Sequence, residues 1–309
     1  EDKLKFIELT ILISHLCHTP YESIYYNTAL NEGAILTYLK RKGVIAPNKP
    51  TTTNPSIREL ELGDHVIHQR GTPTIEGTVY SFDVKEIIVK TFAGKYISRY
   101  PKTIRKKDSY AGGYLLDPIP GLYSDVSDLD FTSLYPSIIM SLNIGKETLV
   151  GRIMIPNEKV VVEGKEIFNC RYALNDLKQM DPEQYLEVQN AKRRSASMTV
   201  KDLIDLIESE KLAISANGVM YRTNFDSVLK TILSKWFEER VIYKNQMKKA
   251  YKAGNKALGE QMHLKQHTMK ILLNSLYGAT ALGSFRYGNV ILSESITLTG
   301  QRIIQESAL

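Results

Sequence analysis

Residues 128–142 read DLDFTSLYPSIIMSL, and the rest of the chain is arranged around them. Val126, Leu129 and Phe131 are strand formers, Pro136 presets a turn, and Ile138, Ile139 and Leu142 recur at helical spacing. The stretch therefore predicts an apolar strand, a turn and then a helix. Asp130 falls where the strand ends. A carboxylate there can project into a cleft, and the backbone amides of the following turn can face an anion. That is a layout for a divalent metal beside a phosphate.

A second stretch, Lys270–Gly278, reads KILLNSLYG. DFTSLYPSII followed by KILLNSLYG resembles the first polymerase motif of family B DNA polymerases followed by their K-x-x-x-N-S-x-Y-G motif. Within that family the nearest resemblance is to the replicative polymerases of large tailed phages. It extends from about Ile7 to the end of the chain, apart from one inserted segment. It implies an α+β fold: part of a polymerase palm, a mixed or antiparallel sheet with helices, followed by helical-hairpin fingers.

Composition bounds the alternatives. The chain has 309 residues with ordinary apolar and charged fractions, enough for one large or two to three smaller domains. No apolar run is long enough to span a bilayer and no signal peptide opens the sequence, so no membrane partner is expected. Cys17 and Cys170 stand far apart, which fits a reducing compartment; the expected location is cytoplasmic, the host cytoplasm if the source is a phage. The formal net charge is +6, and the stretch 221–270 alone carries +7. Residues 87–107 hold seven basic side chains and no acid. Such clusters suit a phosphate backbone through counterion release, and equally a solvated helix face plus a basic loop.

Ile7–Ile13 reads as a strand or a buried helix start, and Asn27–Lys42 as a helix stopped by Gly43. His15, Cys17 and His18 lie close together, but their spacing matches no standard zinc pattern and no fourth ligand is evident. Pro47–Pro55 reads as a linker. DHVIHQRG, GTVYSFDV, KEIIVKTF and KYISRYP then alternate in short runs, which predicts four or five strands of an inserted small β-barrel over 51–108. The resemblance says nothing about this insertion. His65 and His68 fall on opposite strand faces, which weakens a joint ligand role.

The remaining organisation is expected as a segment leading into the palm (1–50), a palm with the first motif (109–224), fingers (225–282) and a return into the palm (283–309). Strands with a hairpin at Glu163-Gly164 are expected over Ile153–Cys170, and helices over Leu174–Gln189 and Val200–Lys211. Phe225–Lys256 reads as a long helix with Val228, Ile232, Trp236, Phe237 and Val241 on its apolar face. A turn near Gly254–Gly259 leads to a second helix over Glu260–Leu276, making a helical hairpin.

Arg240 and Lys244 are four apart on the first of these helices, and Lys270 and Asn274 four apart on the second. If the helices run antiparallel, three cations can converge on one anion, and a nucleotide triphosphate is the natural candidate. The resemblance implies the same: Arg240 and Lys244 match the family's triphosphate-binding R-x-x-x-K, and Lys270 and Asn274 the Lys and Asn of K-x-x-x-N-S-x-Y-G. It further implies that Ser133, Leu134 and Tyr135 offer backbone amides to the triphosphate, and that Tyr135 stacks under the sugar and rejects a 2′-hydroxyl. Tyr277 and Gly278 would pack on the nascent base pair. Tyr110, Gly112 and Gly113, in YAGG, would touch the template. His263 and His267 lack the Glu of H-E-x-x-H and read as helix surface.

Asp130, with Leu134, is the expected metal ligand in a two-metal Mg2+ site, which takes at least two carboxylates. The family supplies another from Y-G-D-T-D-S, and no D-x-D occurs after Gly278. Asp128 shares a strand face with Asp130 and departs from the family's apolar or small residue there; it reads as an accessory charge before a true ligand. The expectation is thus part of a DNA-directed DNA polymerase acting on primer-template DNA and deoxynucleotides. The other carboxylate would come from a missing C-terminal part or a second polypeptide carrying the remaining palm and thumb. Rival readings are a non-catalytic DNA-binding protein on the same scaffold and a protein-primed polymerase.

Overall fold

A computed structural model describes residues 2–23, 27–48, 65–68, 75–82, 87–91, 94, 96–99, 104–106, 113, 120–122, 124, 130–154, 159–162, 165–168, 171–191, 194–282 and 285–307. The chain divides into two compact units, Glu1–Lys49 with Ala111–Leu309, and Pro50–Tyr110.

The Pro50–Tyr110 unit holds β1 (His65–His68), β2 (Ile75–Phe82), β3 (Ile87–Thr91), β4 (Tyr96–Arg99) and β5 (Ile104–Lys106). All pairings are antiparallel in the order β4-β3-β2-β1-β5, with Ile67 opposite Glu76 and Val89 opposite Ile97. Four or five strands were expected, and five are present. Among the described residues no ladder joins β4 to β5, so the sheet has two edges where a closed barrel has none.

The larger unit begins with α1 (Asp2–Cys17) and α2 (Asn27–Arg41). The apolar run at Ile7 is thus a helix rather than a strand. Ile13 and Cys17 enter the core while Ile7 and Ile11 stay exposed. Burial pushes the Cys17 thiol up to about 12, whereas His15 and His18 face outward. Gly43, with φ 68°, follows the end of α2 as anticipated.

The motif stretch builds α3 (Leu134–Ser141) after a turn at Thr132 and Ser133. Pro136 lies in the first helical turn, not in the preceding turn as its sequence position suggested; its missing N–H is one that a helix start leaves unpaired anyway. Ile138 and Ile139 are buried.

Downstream, β6 (Leu149–Ile153), the hairpin β7 (Lys159–Val162) and β8 (Lys165–Phe168), α4 (Leu174–Leu177), β9 (Tyr185–Asn190), β10 (Ser195–Thr199), α5 (Val200–Ser209), β11 (Leu212–Ile214) and β12 (Val219–Arg222) follow. The five-stranded sheet of this unit is antiparallel with order β10-β9-β6-β12-β11. Period two is visible in β12: Met220 joins a cluster with Leu203 and Ile207 of α5, while Val219 and Tyr221 join the main core. The helix expected over Leu174–Gln189 is corrected to one turn and a strand. Asp181 precedes Pro182, which disfavours helical backbone, and the Asp181 carboxylate accepts from the Glu183 amide at 3.1 Å. β10 was not anticipated, because SASMT has no apolar alternation; its pairing with β9 holds it.

The hairpin is α6 (Val228–Lys252) and α7 (Lys256–Thr280), followed by α8 (Val290–Ser307). Ser227 caps α6 by accepting from the Lys230 amide, and Asn255 caps α7 by accepting from the Leu258 amide. α7 therefore starts ahead of Glu260, and Gly259 lies inside it. A Cβ there would stand 2.5 Å from the Tyr251 ring, so this glycine lets the two helices close at the tip. Ile232 and Trp236 are buried as expected, but Val241 is 44% exposed. Among the described helices α3 packs against α6 in its earlier part, and beyond Arg240 Tyr243 and Ala250 take over the inner face.

Candidate functional site

The site is built where the start of α3 meets the middle of the hairpin. Asp130 is exposed in irregular backbone just before the turn. Ser133 then adopts φ 55° and ψ 53°, a left-handed conformation uncommon for serine, and α3 starts at the next residue. Ser133 accepts from the Ser137 amide at 2.9 Å through its carbonyl, and Ser137 Oγ donates to the Thr132 carbonyl at 3.3 Å. Pro136 has no N–H and Ser137 is already paired; Leu134, one of the three residues singled out with Ser133 and Tyr135, is the first residue of the helix.

Arg240 of α6 reaches this turn. Its Nη1 donates to Ser133 Oγ at 3.1 Å, while its Nε is buried without a hydrogen-bond partner. A guanidinium with spare buried donor capacity beside a helix start is a combination that suits an anion. Lys270 stands on the facing helix α7, where Lys265 Nζ lies 5.6 Å from the centroid of the Tyr243 ring, so the stretch around 265–270 runs beside the Arg240–Tyr243 turn of α6. Lys244 lies one turn beyond Arg240 and is exposed, as are Lys270 and Asn274. The structure thus joins Ser133 to Arg240, with Lys270 on the helix that faces Arg240.

Tyr135 is enclosed on several sides. Its ring meets that of Tyr277 with centroids 4.4 Å apart and planes 31° apart. A Cβ at Gly300 of α8 would lie 3.0 Å from Tyr135 Cε1, and one at Gly113 would lie 3.2 Å from the Tyr135 hydroxyl oxygen. Gly278, by contrast, has nothing within 4 Å of a built Cβ. Tyr110, Gly112 and Asp128 lie outside the described residues. Asp130 offers one hard oxygen ligand, and among the described residues no three His, Cys, Asp or Glu side chains gather as a metal site.

The family model described as DNA polymerase family B matches residues 24–308. The chain belongs to this family. A DNA polymerase of Invertebrate iridescent virus 3 is 25% identical over 226 residues, covering 66% of this chain and 20% of the viral protein. The DNA-directed DNA polymerase of Escherichia phage RB69 is 26% identical over 222 residues, 63% of this chain and 23% of the phage protein. The solved structure of the family B DNA polymerase from the archaeon Pyrobaculum calidifontis aligns with a TM-score of 0.51 at 18% identity. It covers 98% of this chain and 26% of that one, and it shows the fold. This family B chain therefore spans about a fifth of the length of the curated relatives it matches.

Two residues supporting this region escaped the sequence reading. Asn143, fully buried, bonds the start of α6, and Gly300 sits against Tyr135. His263 and His267 are exposed on α7, the helix surface expected of them, and His267 precedes Lys270 by three positions, on one helix face.

Proposed function

We propose that this chain is the nucleotide-binding part of a DNA-directed DNA polymerase, which adds deoxynucleotides to a primer 3′ end. The observation that carries the proposal is the Arg240–Ser133 hydrogen bond, which ties a cation of α6 to the turn after Asp130. In this reading the amides of Ser133, Leu134 and Tyr135, with Arg240, Lys244, Lys270 and Asn274, hold the triphosphate. As the 3′-oxygen bonds to the α-phosphorus and pyrophosphate leaves, Arg240 and Lys270 stabilise the charge gathering on the leaving group. The Tyr135 ring, backed by Tyr277 and Gly300, closes the space a 2′-hydroxyl would need. Tyr277 and the open face of Gly278 admit the nascent base pair, and Tyr110, Gly112 and Gly113 touch template.

Asp130 and Leu134 would hold Mg2+. Bound Mg2+ supplies a lowered pKa at the 3′-hydroxyl and charge neutralisation at the transferring phosphorus. One described carboxylate fits as part of a two-metal set, so the further carboxylates are assigned to polypeptide outside these residues, on a continuation or a second chain. Closure of the Pro50–Tyr110 strands into a small barrel belongs to the same proposal.

The test is primer extension with Mg2+ and four deoxynucleotides, by the chain alone and then mixed with a polypeptide carrying the remaining palm and thumb. Extension on mixing, abolished by Asp130→Asn with DNA binding kept, is the expected result. DNA binding without extension in every mixture would favour a non-catalytic DNA-binding protein on a polymerase scaffold.

A further inference from the structure

The histidine pair of α7, His263 and His267, precedes Lys270 on the same helix. His267 precedes Lys270 by three positions, which places both on one face. His263, one turn earlier, stacks on His267 with centroids 6.1 Å and planes 7° apart. Across the hairpin Lys265 Nζ lies 5.6 Å from the Tyr243 ring centroid, which sets Arg240, one turn before Tyr243, near the level of His267. Partial burial of its largely exposed ring lowers the pKa of His267, and the charges of His263, Lys270 and Arg240 lower it further. α1, α2, α3, α6 and α8 all pack against α7. Among the described residues only α6, through Arg240, adds a charge acting on this ring from outside α7, and no carboxylate is among the groups that do.

An imidazole in such company gives up its proton readily while the site holds cations alone. A bound polyanion reverses the local potential and favours imidazolium. We propose that His267 is a further, proton-dependent ligand of the triphosphate, taking a proton from solvent as the nucleotide binds and donating an N–H to a phosphate oxygen. The inference rests on the reading of Arg240 and Lys270 as a triphosphate site. It adds a ligand whose charge follows occupancy: neutral when the site is open, positive when it is filled. Nucleotide affinity then rises as pH falls, and departure of the pyrophosphate returns the proton.

The experiment titrates the 309-residue chain with inorganic triphosphate while NMR follows the ring C–H signals of its six histidines. His267→Gln assigns the line, and because His267 is an exposed helix residue the variant keeps its fold. Without triphosphate the His267 midpoint should lie below that of an ordinary histidine; with saturating triphosphate it should rise by about one pH unit. Between pH 8 and pH 5.5, Kd should fall about tenfold more in the parent than in His267→Gln. That comparison removes the ligand's own protonation. Triphosphate binding that depends on Arg240 but leaves the His267 midpoint unmoved overturns the inference and spares the site. No binding, or binding indifferent to Arg240→Gln, overturns the site and the inference together.

Discussion

Asn143 and Ser227, 84 residues apart, are joined by a 2.8 Å hydrogen bond from the Ser227 amide to Asn143 Oδ1. The same side chain donates through Nδ2 to the Arg222 carbonyl at 2.6 Å and the Phe225 carbonyl at 2.7 Å. Ser227 Oγ in turn donates to the Ile144 carbonyl at 3.0 Å, and Glu147 accepts from the Val228 amide at 2.6 Å. The loop that leaves α3 thereby sets where α6 begins. The turn after Asp130 and the cation at Arg240 are held in one frame at both ends of α3.

Asn143→Ala takes its partner from the buried Ser227 amide and from the part-buried Arg222 and Phe225 carbonyls. Each such loss costs about 1–3 kcal/mol, without full additivity. A destabilisation of about 3 kcal/mol is expected in urea unfolding. A change under about 0.5 kcal/mol would show that the frame is held elsewhere.

Gly300→Val should disturb Tyr135, which we propose stacks under the sugar. The first added carbon would stand 3.0 Å from Tyr135 Cε1, and a branched side chain must displace the ring. Overpacking of this kind costs about 1–3 kcal/mol. In the competent polymerase we expect more ribonucleotide incorporation relative to deoxynucleotide. Unchanged sugar selectivity together with unchanged stability would mean that α8 does not support the ring.

Arg240→Lys keeps the charge and loses the fork. A lysine cannot both reach Ser133 Oγ and present further donors in the plane that guanidinium occupies. Loss of a charged hydrogen bond is worth about 1.5–3 kcal/mol, so deoxynucleotide affinity should drop on the order of tenfold or more. Equal affinities for parent and Arg240→Lys would reduce the role of Arg240 to charge alone.

Long periodic elements were legible in the sequence because their patterns repeat: α2, α5, α6 and α7 follow from apolar spacing, and the strands of β1–β5 from alternation between glycine and proline signals. β9 was misread because YLEVQN follows apolar residues at helical spacing; only Pro182 marked the break. β10 carries no apolar code at all. Among site residues, Arg240 and Lys270 were legible as cations at fixed spacing on two helices. Asn143 was not, since a buried asparagine is specified by backbone groups 79–84 residues away that no local pattern reveals. Gly300 was equally silent, because the ring it accommodates belongs to a helix far upstream.

Gly259→Ala tests the tip of the hairpin. The new methyl would lie 2.5 Å from the Tyr251 ring, and the alanine gains helix propensity of up to about 1 kcal/mol. We expect the clash to win, with net destabilisation in the parent. In a Tyr251→Ala background the same change should become stabilising. Additive effects in this double-mutant cycle would mean that the two residues do not meet.

Glu294 of α8 gives the pH dependence its sign. Burial raises its pKa, and Arg152 on β6 only partly opposes this. The folded chain therefore holds the proton more tightly than the unfolded chain. Stability from this group is full below the unfolded value, near 4.5, and is lost as pH rises through the raised folded value. Glu294→Gln mimics the protonated form and keeps its shape. Its urea midpoint should exceed that of the parent at pH 8 and match it near pH 4. A lower midpoint at pH 8 would mean that the attraction to Arg152 outweighs the burial of the carboxylate, reversing the order of the two causes.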